Sequence, residues 1–146
     1  MKRFSFNLEK VRELRQHREQ EAKNELGQAI SILNAIENNI KQNAFVHSRA
    51  VQERFTSLSA NDAQGTLSML AWDNYILRLE QEAERLMEQA AAAEMVVEEK
   101  RAQYLEASRE LKVMEKLKEK REKEYRKEVF AAETRELDDM WRDKGR

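Results

Sequence analysis

Residues 69–114 read MLAWDNYILRLEQEAERLMEQAAAAEMVVEEKRAQYLEASRELKVM, and this stretch decides the fold. When the chain is followed from Met69 in alternating steps of three and four residues, every position up to Met114 is apolar except Lys100. An apolar seam of this period, sustained over more than about three to four heptads, is typical of a coiled coil. We therefore predict one long helix whose seam packs against a second helix.

The first half of the chain carries a second, weaker seam. Six of its residues follow the same alternation: Ala22, Leu26, Ala29, Leu33, Ile36 and Ile40. We expect this seam to loosen through Ala44 and His47 and to recover at Val51, Phe55 and Leu58. For His47, we favour a residue that sets the register, or a partly exposed core histidine, over a metal ligand. Before Ala22 the apolar positions are sparse and consist of Leu8, Val11 and Leu14.

A turn is predicted between the two seams, where residues 57–66 read SLSANDAQGT. Ser, Asn, Asp and Gly favour turns and helix caps, and long helices joined by a short loop pack as antiparallel neighbours. The predicted fold class is all-α, a long antiparallel two-helix coiled-coil hairpin. It would form a single elongated domain with helices over about 7–58 and 67–140 and a turn over about 59–66.

Local signals refine this hairpin. Asn7 is the expected N-cap of the first helix, with Phe6 packed on Val11 as a hydrophobic staple. Caps for the second helix are expected at Ser59, Asp62 or Thr66. With the reversal near residue 62, Leu8 would lie opposite residue 116 or so. The residues expected to form the coiled-coil core are Leu26, Leu33, Ile36, Ile40, Trp72, Ile76, Leu79, Leu86, Val97, Tyr104, Leu111 and Met114.

Composition supports helices and excludes several classes of protein. The 146 residues include no proline, no cysteine and three glycines, and 38 % of them are charged. Such a chain has few residues for the turns of a many-stranded sheet, no disulfides and no thiolate metal site. It also lacks a secretory signal and any apolar run near the roughly 20 residues that span a bilayer. We expect a soluble, intracellular protein.

Catalytic and ligand-binding motifs are missing from the sequence. It has no glycine-rich phosphate loop, no G-x-S-x-G and no H-E-x-x-H. His17 and His47 would lie about 45 Å apart on one helix, too far to share a metal. The basic segments are interrupted by glutamate and carry no aromatic platform for stacking nucleic-acid bases. We expect no enzymatic activity, cofactor, metal, small-molecule substrate or nucleic-acid partner.

Charge is unevenly distributed, although the 27 basic and 28 acidic residues nearly cancel. Residues 1–18 and 112–127 are basic, whereas residues 79–99 hold seven glutamates and one arginine. A hairpin would bring the two basic segments together at the chain ends, with an acidic region between them and the turn. Charge runs are commonly solvated faces, but two that coincide favour a docking surface.

Both ends of the chain resemble one family. The opening FSFNLEKVRELR, residues 4–15, resembles the N-terminus of the flagellar export protein family FliJ. Residues 111–120, LKVMEKLKEK, with Tyr125 and Glu128 beyond them, are similar to its charged C-terminal helix. The segment ETRELDD, residues 133–139, is similar to its acidic tail motif, with Asp139 in place of the more usual Glu. Residues 41–66 carry no part of the resemblance.

The resemblance implies a component of the bacterial flagellar type III protein export apparatus. FliJ-like proteins are coiled-coil stalks, similar to the gamma subunit of F-type ATPases, that engage the hexameric export ATPase. They link it to the export-gate membrane protein and to the export chaperones. The implied location is cytoplasmic, peripheral at the cytoplasmic face of the membrane at the flagellar base, and the implied role is in flagellum biogenesis and motility.

The basic end and the gamma-subunit analogy together give a hypothesis for the ATPase contact. The residues expected to meet the ATPase ring are Arg12, Arg15, Arg18, Lys116, Lys120 and Arg121. Three alternatives remain open: an injectisome stalk protein, a generic coiled-coil adaptor or homodimer, and a holdase-like chaperone. As to assembly, either a monomeric hairpin or a weak homo-oligomer fits the sequence.

Overall fold

The computed structural model describes residues 3–58 and 63–146. These ranges contain two α-helices, α1 (Glu9–Ser57) and α2 (Ala63–Lys144), and no strand. Ion pairs join early α1 to late α2 and late α1 to early α2, so the helices pack antiparallel. The predicted all-α antiparallel hairpin is therefore confirmed.

The helix bounds differ slightly from those expected from the sequence. Helix α2 begins at Ala63 rather than near residue 67 and continues to Lys144 rather than to about 140. Thr66, a candidate cap, therefore lies inside α2, whereas Ser59 and Asp62 lie outside the described residues. Glu9, next to Leu8, pairs with Lys118, so the register differs by a few residues from the one expected.

The chain divides into two compact units, and each contains part of both helices. The terminal unit comprises Met1–Lys23 and Gln103–Arg146, and the central unit comprises Asn24–Ala102. Over the described residues, neither helix carries an apolar stretch that would be long enough to span a membrane.

The seam of α2 faces α1 at every expected position. All of its residues from Met69 to Met114 are buried or partly buried, and Leu86, Val97 and Met114 are each 5 % exposed. Lys100, the one polar residue of the seam, pairs with Glu25 of α1 at 3.0 Å. The apolar pattern of α2 therefore identifies the inward face of this helix at every step from Met69 to Met114.

The inward face of α1 follows one unbroken alternation of three-residue and four-residue steps. This alternation extends over more of the helix than the apolar residues do. The buried or partly buried positions that follow this alternation are Leu8, just before α1, and Arg12, Arg15, Glu19, Ala22, Leu26, Ala29, Leu33, Ile36, Ile40, Asn43, His47, Ala50, Arg54 and Ser57 within it. A continuous helix keeps the same face toward its partner whatever side chains occupy that face.

The expected recovery of the α1 seam at Val51, Phe55 and Leu58 is wrong, because these side chains are exposed. Ala50 and Arg54 take the inward positions instead, and the polar side chains there find partners on α2. The Arg54 guanidinium donates to the Asp73 carboxylate, and His47 Nε2 lies 3.3 Å from Glu80 Oε1. His47 is thus a partly exposed seam residue, with 35 % of its side chain accessible.

The start of α1 also carries apolar residues outside its inward face. Val11 and Leu14 are exposed, although they are the apolar residues of this segment. The inward positions belong to Leu8, Arg12 and Arg15. Beside Leu8, charged side chains join the two helices, since Arg15 donates to the Glu110 carbonyl and Glu9 pairs with Lys118.

Candidate interaction surface at the paired chain ends

Two phenylalanines anchor the chain start onto α2. The Phe6 side chain is buried, and the Arg121 guanidinium lies 5.8 Å from its ring centroid. The Phe4 and Tyr125 rings are 5.5 Å apart at 43°. A cation over an aromatic ring contributes about 0.5–1 kcal/mol at an exposed site, so these contacts favour an ordered chain start.

Asn7 contributes to this anchoring in a different way from the one expected. Its Oδ1 accepts a hydrogen bond from Arg121 Nη1 of α2, whereas the sequence predicted that it would cap α1. The helix begins two residues later, where the Glu9 amide donates to the Phe6 carbonyl at 3.1 Å. Phe6 is held beneath Arg121, and Val11, its expected staple partner, is exposed.

Glu9 joins the two helices through its carboxylate. Its Oε1 accepts from Arg12 Nε at 3.0 Å and from Arg12 Nη2 at 2.6 Å, while Lys118 Nζ lies 3.1 Å from Oε2. Hydrogen bonds from Arg12 first, and then from Lys118, lower the pKa of Glu9 below its usual value of 4.5. The same contact with Glu9 raises the pKa of Arg12. Glu9 also lies in the first turn of α1, where the helix dipole favours a negative charge.

The lowered pKa of Glu9 predicts a contribution to stability that depends on pH. Because the folded pKa lies below the unfolded one, this contribution is complete above about pH 4.5 and is lost as the pH falls through the folded pKa. We expect Glu9→Gln to melt at a lower temperature than the native chain at pH 7. This difference should shrink as the pH is lowered to about 3. Thermal unfolding followed by circular dichroism at several pH values measures it.

Glu13→Gln is the matched control, since Glu13 is an exposed carboxylate one turn further along α1. Its effect on the melting temperature should be small at every pH. A Glu9→Gln difference that is the same at pH 7 and at pH 3 would contradict the role of this carboxylate.

The six cations expected to contact an ATPase ring divide into two groups. Arg12, Arg15 and Arg121 are partly buried and used inside the hairpin, where Arg15 Nη1 donates to the Glu110 carbonyl at 3.1 Å. The remaining three are Arg18, Lys116 and Lys120, and all are exposed. Within the described ranges, none of the ion pairs involves these three side chains. We call them the exposed cation group.

The two units carry opposite formal charge. The terminal unit holds 20 Lys and Arg against 16 Asp and Glu, which gives +4. The central unit holds 7 against 12, which gives −5. Pairs along α2 neutralise part of the terminal charge locally, as in Glu119–Lys123 at 3.1 Å and Glu122–Arg126 at 3.2 Å. The positive charge of the exposed cation group is therefore not neutralised by ion pairs on the helix surface.

Metal-binding geometry is not found among the residues that the structure describes. The two histidines each lie beside a carboxylate instead. His17 Nε2 is 3.1 Å from Glu21 Oε1 on the same helix, and His47 lies near Glu80 across the hairpin.

The comparison with known families identifies this chain. A family model described as the flagellar FliJ protein matches residues 4–142, nearly its whole length. The chain belongs to the flagellar FliJ family. It is therefore a component of the flagellar export apparatus. Neither the curated proteins nor the solved structures contain a match to it. The FliJ match begins at Phe4, the first residue of the aromatic anchor described above.

An aromatic groove in this FliJ-family chain was not predicted from the sequence. It lies in the central unit and has a volume of about 270 Å³. The residues that line it are Phe45, Val46, Arg49, Ala50, Glu53, Trp72 and Tyr75. The Trp72 and Tyr75 rings meet edge to face, with centroids 5.9 Å apart at 64°. Since Phe45 and Val46 lie off the seam, the heptad pattern carries no signal for this groove.

A second unpredicted feature is the C-terminal stripe of α2, which we define as Phe130, Leu137 and Trp141. These side chains are 71 %, 56 % and 76 % exposed. Their spacing of seven and four residues places them on one helix face. Because this spacing can be read from the sequence, it could have predicted an apolar helix face near the C-terminus.

Proposed function

We propose that this FliJ-family chain is the coiled-coil stalk of the flagellar type III export ATPase. In this role its terminal unit engages the hexameric ATPase, and the chain links that enzyme to the export-gate membrane protein and to export chaperones at the cytoplasmic face of the membrane. It supplies no catalytic group of its own. Membership of the FliJ family over residues 4–142 supports a role in the flagellar export apparatus. The observation that carries the ATPase assignment is the exposed cation group on a unit of formal charge +4.

The physical basis of the proposed role is asymmetry. A two-helix hairpin has no sixfold symmetry, so its contacts must differ among six subunits arranged around it. Ligand contacts that differ between conformational states shift the populations of those states. A stalk in the ring therefore favours non-equivalent subunits, and long-range attraction by exposed cations speeds its arrival at an acidic surface.

The test is stimulation of the purified export ATPase by a variant in which Arg18, Lys116 and Lys120 are all replaced by Glu. We expect stimulation to require about tenfold more of the variant, which corresponds to about 1.4 kcal/mol of binding free energy. The effect should be largest at low ionic strength, because exposed charges are screened within about 10 Å at 0.1 M salt. Arg15 and Arg121 are left intact because they hydrogen-bond across the hairpin. Arg12 is left intact because it binds the Glu9 carboxylate, which pairs with Lys118.

The control reverses three exposed cations of the central unit, Lys41, Arg78 and Arg101, and so changes the net charge by the same amount. Both variants should keep the native helical content in circular dichroism. Equal stimulation by the two variants would reject the terminal unit as the ATPase contact.

The alternatives predict other partners. An injectisome stalk would stimulate an injectisome ATPase in preference to the flagellar one. A generic adaptor or a holdase-like chaperone would bind neither enzyme. Pull-down with each ATPase, with and without nucleotide, separates these functions.

A further inference from the structure

The C-terminal stripe faces away from the side of α2 that packs on α1. The seam reaches Lys118, Arg121 and Tyr125. If it were continued by the same steps, it would pass through Glu128, Ala132, Arg135 and Asp139 rather than through the stripe. Every residue from 131 to 146 is exposed in the described structure. The stripe therefore forms a separate apolar face that an occupant could reach from outside the hairpin.

The aromatic groove matches such an apolar helix face in size and chemistry. Its volume of about 270 Å³ lies just below the 300–1,000 Å³ of ordinary small-molecule pockets. Most of its lining is apolar, and Phe45 and Tyr75 are 63 % and 40 % exposed. One or two large side chains from another helix would fill it.

Charge at the two surfaces is complementary in order and spacing. Arg49 and Glu53 line the groove and are four residues apart on α1. Asp138 and Arg142 directly follow Leu137 and Trp141 of the stripe and are also four residues apart, with the signs reversed. On a helix, residues four apart share a face, so both pairs can meet at once.

Net charge favours the same contact between two copies. The unit that carries the stripe has a formal charge of +4, and the unit that carries the groove has −5. Attraction between opposite fields steers association and suppresses the pairing of like units. Two copies therefore attract in the arrangement that brings the stripe of one to the groove of the other.

We propose that the C-terminal stripe of one copy docks in the aromatic groove of a second copy. In this contact Trp141 inserts beside Phe45 and Tyr75, while Asp138 and Arg142 meet the partner's Arg49 and the partner's Glu53. The proposed assembly is a reciprocal pair, in which each copy uses both its stripe and its groove, as in a twofold dimer. The proposal concerns self-association and stands independently of the ATPase role.

Sedimentation equilibrium of the full chain tests the proposal. We expect a monomer–dimer equilibrium that weakens as the salt concentration rises. The stripe variant Leu137→Ala/Trp141→Ala and the groove variant Phe45→Ala/Tyr75→Ala should each raise the dissociation constant at least tenfold. The control, Met95→Ala/Val113→Ala, removes two exposed apolar side chains that belong to neither surface and should leave it unchanged.

Mixing gives a sharper readout. The stripe variant keeps an intact groove and the groove variant keeps an intact stripe, so a mixture should form heterodimers more tightly than either variant forms homodimers.

A chain that stays monomeric at all concentrations would overturn the proposal, and the stripe and the groove would then be free to bind other partners. So would a dimer that both double variants leave intact. Open-ended growth beyond the dimer would overturn the reciprocal arrangement.

Discussion

The Leu86→Asp variant is expected to lose the helical structure of the central unit. Leu86 is 5 % exposed, and no polar or charged residue within the described ranges is buried to that degree. Removing a buried leucine side chain destabilises a protein by about 2–5 kcal/mol, and a carboxylate without a partner adds a desolvation penalty. Because folded domains are stable by only about 5–15 kcal/mol, a hairpin with one buried seam should not tolerate this change.

Circular dichroism at 25 °C and a thermal melt measure this loss. Leu77→Asp is the control, since it places the same charge on the same helix at a side chain that is 53 % exposed. Leu77→Asp should melt close to the native temperature. If the two variants melted together, the assignment of the inward face of α2 would be wrong.

Ala50→Phe is expected to produce the second large loss of stability, by overpacking. Ala50 is 2 % exposed, so a phenyl group there would force the two helices apart or into strained rotamers. Overpacking typically destabilises by about 1–3 kcal/mol, and we expect the upper end of this range because a phenyl group is much larger than a methyl group. Guanidinium denaturation gives the change in the free energy of unfolding.

Ala44→Phe adds the same side chain at an exposed position of α1 and serves as the control. Its denaturation midpoint should stay near that of the native chain. The seam position of Ala50 would be refuted by an Ala50→Phe midpoint as high as that of the control.

The helical hairpin was largely predictable, because α2 repeats its apolar residues with little interruption. The seam from Met69 to Met114 lies where the pattern places it. The second half of the α1 seam was mispredicted because its inward positions are filled by residues such as His47 and Arg54. Val51 and Phe55 are apolar but exposed, so a prediction based on apolar spacing places the seam on the wrong face of α1. These polar residues pair with Glu80 and Asp73 of α2. Because the partners belong to the other helix, the sequence around His47 and Arg54 does not reveal them.

The candidate interaction surface was predictable only as a region. Charge counting finds the basic chain ends, since formal charge is additive along the sequence. It does not distinguish Arg15, which donates to a carbonyl of α2, from Arg18, which is exposed. The two differ only in which side of α1 they occupy and in the groups that α2 places opposite.

The sequence by itself determined the helical class, the face of α2 that packs inward, the uneven charge and the family. Each of these follows from residue type and spacing along one chain segment, which secondary-structure periodicity translates directly into position. Only the tertiary structure decided the polar seam of late α1, the use of Arg12, Arg15 and Arg121 inside the hairpin, and the aromatic groove. These features arise where side chains from two helices meet, so they depend on the antiparallel register, which no single stretch of the sequence encodes.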